Sequence, residues 1–425
     1  MKKYNTMRTA AILISSMGLL STVAQSDELE GLSESHRFSA HANLIGNYND
    51  SSVTWLNGGL GRFDQGSNGD NSRSLLGEAQ IGYKYSVSDN FSVQTHVQFQ
   101  DTSYSSSARA IGLVELKMRY VLAPSEDQRI TLTAGQFFLP ISMENIDQFW
   151  ESPYTIGFSA LNSWIGEEFR PIGFDVNYAV NLNSGNRWSI AATAFGGNDS
   201  MGAILAWRGW SHGRHRSVYG DSLSLPNLSS LATGGDFQDQ RDDGSKPFGP
   251  DLDGRAGYAL RTSWTDNSSY KVNLTWVDNL GDKGLHHGEY AWRTRFAIAG
   301  LSWFITDDLI IVSEATNGNA AMGPGPSVDI DFYAVYLMSS LQVNDFRYSA
   351  RIEKFETKDQ DELDEENNDE GHSYTLAVMW SPSDTGFSGG VEAFYINNKR
   401  ERTLVGGAFE DENNTSISLL LKYTF

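Results

Sequence analysis

Ser416-Ile417-Ser418-Leu419-Leu420-Leu421-Lys422-Tyr423-Thr424-Phe425 is the stretch on which the fold turns. In an extended chain, side chains two apart share a face. Ile417, Leu419, Leu421, Tyr423 and Phe425 therefore lie on one side, and Ser416, Ser418 and Lys422 on the other. Chain termini usually fray into water. A last residue this apolar points to a strand whose greasy face is covered along its whole length. The soluble alternative is the final core strand of a β-sandwich.

A closing strand that stops on an aromatic resembles the last strand of a bacterial outer-membrane β-barrel. The other end of the chain agrees. Lys2, Lys3 and Arg8 form a basic region, an apolar run follows from Ala10 to Leu20, and Ala24-Gln25-Ser26 supplies small residues for cleavage. We expect a signal peptide over residues 1–26 and a mature domain over residues 27–425. Cleavage removes three basic residues from a chain whose formal charge is already −21. The Ala10–Leu20 run is too short to span a bilayer as a helix, and no later segment has the length and apolarity to do so. Cysteine is absent, so neither disulfides nor thiol chemistry are available.

Turn signals recur at Ser88-Asp89-Asn90, Ser125-Glu126-Asp127, Asn183-Ser184-Gly185-Asn186, Asp266-Asn267-Ser268, Thr306-Asp307-Asp308, Asn344-Asp345 and Ser383-Asp384-Thr385-Gly386. Longer connections fall between them, at Tyr48–Ser72, Ser105–Ala108, Leu139–Glu167, Asp199–Asp251, Gly281–Gly288, Asn319–Pro326, Thr357–Glu370 and Asn398–Asn413. Seven short and eight long joints predict sixteen strands, in the alternation expected between periplasmic and outer sides. The fold class read here is all-β: a sixteen-stranded antiparallel transmembrane β-barrel with an infolded third loop and no plug. Period-two stripes run through Leu75–Val87, Phe91–Gln100, Ile330–Met338 and Tyr374–Trp380. Aromatics such as Tyr83, Trp188, Trp276 and Trp380 fall near predicted strand ends, as interface girdles do.

A barrel of this size leaves an aqueous lumen, so passive passage of small hydrophilic solutes is the expected function. Alternation places Lys84, Arg109, Lys117, Arg119, Arg129, Arg187, Arg255, Arg261, Lys271, Arg293, Arg295, Arg347, Arg351 and Lys422 on the inner wall or at strand ends. The inward acids are fewer: Glu78, Glu115, Asp175, Asp329, Asp331, Glu353 and Glu392. A basic wall focuses field lines and favours anions. The third loop contributes Glu144, Asp147, Trp150, Glu151 and Tyr154 as constriction residues, with Glu167 and Glu168 as further acids. Its aromatics Trp150, Tyr154, Phe158 and Trp164 suit either a slide for sugars or packing against the wall. Arg208, Arg214 and Arg216, with His212 and His215, form a basic patch in the longest loop and are expected to line a vestibule.

The stretch Gly135-Gln136-Phe137-Phe138-Leu139-Pro140-Ile141-Ser142-Met143-Glu144-Asn145, followed by Arg170-Pro171-Ile172-Gly173, resembles the phosphate-selective porin O and P family. In that family such a segment leads into a third loop folded into the lumen. The resemblance implies a homotrimer of sixteen-stranded channels in the outer membrane, biased toward anions, phosphate among them. Outer-membrane lipid and lipopolysaccharide are the implied surroundings. The family's arginine ladder has no motif-level match here and is not carried over.

Other features point to no chemistry. The acidic run Asp359–Glu370 lacks the spacing of a calcium loop. His286 and His287 are adjacent and so point apart on a strand. No nucleophile elbow, phosphate loop, zinc helix or dinucleotide fingerprint is present. Neither enzyme activity, cofactor, metal nor nucleic-acid partner is expected. The competing readings are a sugar-conducting porin and a non-conducting barrel serving as adhesin or anchor, its lumen filled by the loop Asp199–Asp251.

Overall fold

The computed structural model describes residues 35–65, 72–102, 109–182, 185–266, 269–323, 327–361, 363, 365–405, 407–408 and 413–425. The expected signal peptide, the whole of the second long connection Ser105–Ala108, parts of the first, sixth and eighth connections and of two turns, and Glu362 and Asp364 of the acidic run lie outside them.

Sixteen strands close one antiparallel barrel. They are β1 His36–Asn49, β2 Ser72–Ser86, β3 Phe91–Gln100, β4 Ile111–Ser125, β5 Gln128–Gln136, β6 Ile172–Asn181, β7 Arg187–Gly196 and β8 Gly257–Asp266. There follow β9 Tyr270–Asp278, β10 Trp292–Phe304, β11 Leu309–Met322, β12 Val328–Val343, β13 Phe346–Asp359, β14 Asp369–Trp380, β15 Phe387–Arg400 and β16 Asn414–Thr424. Closure comes from pairing β1 with β16, in a register running from His41 opposite Thr424 to Asn49 opposite Ser416. Beyond the ladder the Phe425 amide donates to the Ala40 carbonyl at 3.0 Å, so the final aromatic is held at the seam. Closure leaves no strand edge unpaired, the condition for a sheet to sit in hydrocarbon.

Register fixes the faces. Leu337, Leu376, Leu419 and their same-parity neighbours point outward and are exposed, forming the apolar belt that a bilayer requires. All seven tight connections gather at one end of the barrel, here the turn end, and all eight long ones at the other, the loop end.

The inside departs from the expected open lumen. On β12 the stripe Ile330, Phe332, Ala334, Tyr336 and Met338 faces inward and is buried. Its opposite face carries Tyr333, Val335, Leu337 and Leu341, so this strand is apolar on both sides. Ile330, Phe332 and Ala334 join Phe296, Phe355, Phe394 and Ile396 of neighbouring strands around Trp164, Trp207 and Trp210 from the loops, while Tyr336 and Met338 pack with Met143 and Tyr154 of the third loop. A hydrophobic core therefore occupies the loop half of the lumen, and the expectation of a barrel without a plug is corrected.

Candidate functional site

Two loops build the interior. The third loop leaves β5 at Gln136 and returns at β6, carrying helix α1, Ala160–Glu168. Ser159 caps α1, its hydroxyl accepting from the Asn162 amide at 3.2 Å. Wall carboxylates then hold the loop by its backbone. Glu353 accepts from the Ala160 amide at 2.8 Å, Glu392 from Ile156 at 2.7 Å, and Glu314 from Met143 at 3.0 Å. Arg351 bonds Glu144 of the loop and, at 2.7 Å, Glu353 of the wall. One guanidinium thus ties loop to barrel, with both partners buried. Further out, Phe149 and Trp150 adopt left-handed backbone, with φ of 61° and 59°. That conformation costs on the order of 1–3 kcal/mol per residue and persists only where packing enforces it. Phe149 sits between His41 and His96, and Trp150 stacks on Phe138 at 4.2 Å. Gly82 on the wall makes the room: a Cβ there would lie 2.8 Å from the Phe149 ring.

The fourth loop, between β7 and β8, holds helix α2, Ala203–Trp207, and helix α3, Gln238–Asp243. It enters the lumen rather than covering it. Arg214 reaches Glu151 of the third loop at 3.0 Å and Glu78 of β2 at 3.2 Å, and Arg216 reaches Glu78 at 2.8 Å. Glu151 also accepts from Lys422 at 2.9 Å, and its carboxylate lies 3.2 Å from His41 Nε2. Burial alone would raise the Glu151 carboxyl, but His41, Arg214 and Lys422 hold it well below the usual range. Arg208 pairs with Glu167 at 2.8 Å and Ser211 donates to the same carboxylate at 2.9 Å. Burial nonetheless pushes Glu167 up to about 7. Glu168, also raised by burial, accepts from Trp164 Nε1, the Gly202 and Ile204 amides and the Ser245 hydroxyl. Arg62 of the first loop grips Asp369 at 2.5 and 2.8 Å beneath Trp210.

The predicted residues therefore fall into several groups. Arg208, Arg214 and Arg216 are buried in ion pairs and line no vestibule. Arg293 and Arg295 share the outward parity of Leu301 and Trp303, so they belong to the barrel exterior and not to the pore wall. Asp329 and Asp331 likewise face outward, opposite Ala321 and Asn319. Arg109 and Arg255 sit before their strands at the loop-end rim, the first 3.5 Å from Asp221 and the second 3.6 Å from Asp282. Arg261 and Arg351 do face inward but are buried against Asp175 and Glu144. Lys117, Arg119, Arg129, Arg187, Lys271 and Arg347 remain on the inner wall toward the turn end, with Lys84. Lys117 pairs with Glu115 at 2.9 Å. In the third loop Glu144 and Trp150 are buried in packing, Tyr154 lies beneath Arg347, and Asp147 and Glu151 border a cavity. The loop aromatics pin the loop and present no open face to a sugar. His286 bonds Asp282 at 2.6 Å, and Asp369 of the acidic run is buried.

Two cavities open in the turn half. One of about 470 Å³ lies between the third loop and β12 to β16, bordered by Asp147, Glu151, Asp345, Arg347 and Lys422. The other, about 350 Å³, lies under Pro140 against β6 to β9, with Arg187, Arg261 and Lys271 on its walls. Where these two cavities lie depends on where loop and wall meet, which local sequence patterning does not encode.

No family model matches the chain, and no curated protein matches it by sequence. Solved structures do match the fold. An anion-selective porin from Comamonas acidovorans is similar with a TM-score of 0.54 at 10% identity, over 92% of this chain and 99% of that one. OmpT, an outer-membrane protein of Vibrio cholerae, is similar in a form lacking loop L8, with a TM-score of 0.53 at 11% identity over 92% and 100% of the two chains. Its trimer form gives 0.52 at 11% identity, over 92% and 100%. The chain has the sixteen-stranded barrel fold found in outer-membrane porins.

Proposed function

We propose that this chain is an outer-membrane porin that lets small hydrophilic solutes diffuse passively, prefers anions, phosphate among them, and assembles as a homotrimer in lipid and lipopolysaccharide. One observation carries the anion preference. Lys84, Arg119, Arg129, Arg187, Lys271 and Arg347 face the turn half of the lumen, and among the described residues none has a carboxylate partner. Excess positive charge in a narrow low-dielectric passage raises the local anion concentration. Weak, multiple sites of this kind allow release as well as capture. The similarity in fold to an anion-selective porin and to a trimeric outer-membrane protein supports the reading. No step of it needs a cofactor or a catalytic group.

The test is single-channel recording in planar bilayers, with reversal potential taken across a potassium chloride gradient and phosphate then titrated in. The expected result is chloride preference and a current reduced by phosphate. A channel that passes potassium much better than chloride would sink the proposal.

A second reading, the non-conducting barrel, is favoured by the apolar core in the loop half. The Ser200 and Ser245 hydroxyls lie 3.3 Å apart, so residues 201–244 can be replaced by a short glycine linker without stretching the chain. A porin conducts both with and without this segment, and better without it. A plugged anchor insulates until the segment is removed.

A further inference from the structure

Of the two cavities, the one under Pro140 has a lining without a single carboxylate. Its geometry points to a binding site for a small anion that also carries hydroxyl groups, such as a sugar acid. This deepens the reading of the turn half as solute space and rests on it.

The argument starts from the rungs of the sheet. Arg187 of β7, Thr265 of β8 and Lys271 of β9 lie side by side on one inward rung. Strands are spaced about 4.8 Å apart, so the backbone positions of the two cations stand roughly 10 Å from one another with Thr265 between them. Neither has a hydrogen-bond or ion-pair partner among the described residues. A single anion seated over Thr265 can take both cations. On the next rung Ser189 and Ser263 share a hydrogen bond of 2.7 Å beside Asn273. Asn273 donates its amide to the Ile141 carbonyl of the third loop at 2.6 Å, which fixes the side chain. Its carbonyl oxygen is buried over Gly300 and beside Met143, which do not line the cavity, so the hydroxyls of Ser189 and Ser263 are the polar groups this rung offers a ligand. A ligand with hydroxyls of its own can both donate to and accept from that pair, whereas a bare carboxylate or halide can only accept. Arg261, one rung further, is already neutralised by Asp175 and closes the chamber. Charge at one end and a hydroxyl pair at the other define the ligand as anion plus hydroxyls. The volume, about 350 Å³, lies at the lower end of the range of small-molecule sites. The larger cavity differs: Asp147, Glu151 and Asp345 border it and offset its cations.

Isothermal titration of the detergent-solubilised full chain with gluconate, at low salt, reads this binding without any conduction. One site per chain is expected, with acetate several-fold weaker because it cannot donate to the Ser189–Ser263 pair. In the Arg187→Gln/Lys271→Gln pair the gluconate affinity should fall by roughly tenfold or more, as charge-assisted bonds are lost. Lys271→Arg keeps the charge and should bind within a few-fold of wild type, while Arg347→Gln, in the other cavity, should bind as wild type does. Retained heat-modifiable migration on gels verifies that each variant is a closed barrel. Absent gluconate binding in the intact chain, undiminished binding in the double variant, or equal binding of acetate would each overturn the site. A barrel that binds gluconate and carries no current would keep this site and sink the porin reading. A chloride-selective channel that ignores gluconate would do the reverse.

Discussion

The two halves of the lumen are built from opposite materials. At the loop end, inward residues of β10 to β13 and of β15 supply apolar side chains that close on three tryptophans, and Arg62, Arg208 and Arg351 are buried in ion pairs. At the turn end the wall is polar, its cations are mostly unpaired, and two cavities remain. One strand can serve both ends. β13 carries Phe355 and Thr357 into the core and Arg347 into the turn half, with Arg351 and Glu353 at the boundary between them. On the proposed reading, selectivity belongs to the turn half and occlusion to the loop half, and substitutions on either side of the boundary should separate the two properties.

The largest effect is expected at the boundary itself. Arg351→Met leaves Glu144 and Glu353 buried beside Glu392 with no guanidinium among them. Removing one partner from a buried ion pair costs about 3–5 kcal/mol. Denaturant unfolding followed by tryptophan fluorescence should show that loss, together with early cleavage of the third loop by added protease. An unchanged midpoint would mean that the loop is held by its apolar contacts alone.

Phe332→Ala should come close behind in the intact chain, since truncating a buried phenylalanine costs about 3–5 kcal/mol. The ring packs at 5.2 Å from Trp164 and 6.1 Å from Trp210. In the chain lacking residues 201–244 Trp210 is gone, and the same substitution should cost clearly less. Equal costs in the two backgrounds would show that the fourth loop contributes nothing to this core.

These effects bear on what the sequence could reveal. Strand number, the two kinds of connection and the outward stripes were legible, because period-two patterning and turn chemistry are local. The inward parity of Lys117, Arg119, Arg187, Arg261 and Arg347 followed from the same rule. Arg293 and Arg295 were misplaced because β10 puts Thr294, Phe296 and Ile298 inside, an apolar inner face that the open-lumen picture did not allow. A signal for the plug was present: β12 is apolar on both faces, which a strand between lipid and water has no reason to be. The run Ala203-Ile204-Leu205-Ala206-Trp207 gave a second hint, being too apolar for an exposed loop. Which arginine meets which glutamate was not legible, since Arg214, Glu78 and Glu151 meet only after loop and wall are folded together.

The contact between the third and fourth loops should also depend on pH. Glu167 titrates at about 7 in the folded chain, above the ordinary 4.5, so the fold favours its protonated form. The stability this group contributes is fully present below about pH 4.5 and is lost as pH rises toward 7. Glu167→Gln mimics the protonated form. Hydrogen exchange of residues 203–211, compared between wild type and variant, should show wild-type protection falling behind across that interval. A constant difference would mean that Arg208 keeps the carboxylate ionised throughout.

The smallest effect tests the faces of the wall. Arg119→Gln with Arg129→Gln removes two inward cations of the turn half, and the reversal potential should shift by a few millivolts toward potassium, as a field built from several charges loses two of them. Arg293→Gln with Arg295→Gln removes the same formal charge from the loop-end exterior, outside the solute path. At 0.15 M salt the Debye length is about 8 Å, so screening should leave the reversal potential where it was. A larger shift from the second pair than from the first would place the selective field outside the barrel and reverse the division of labour between the two halves.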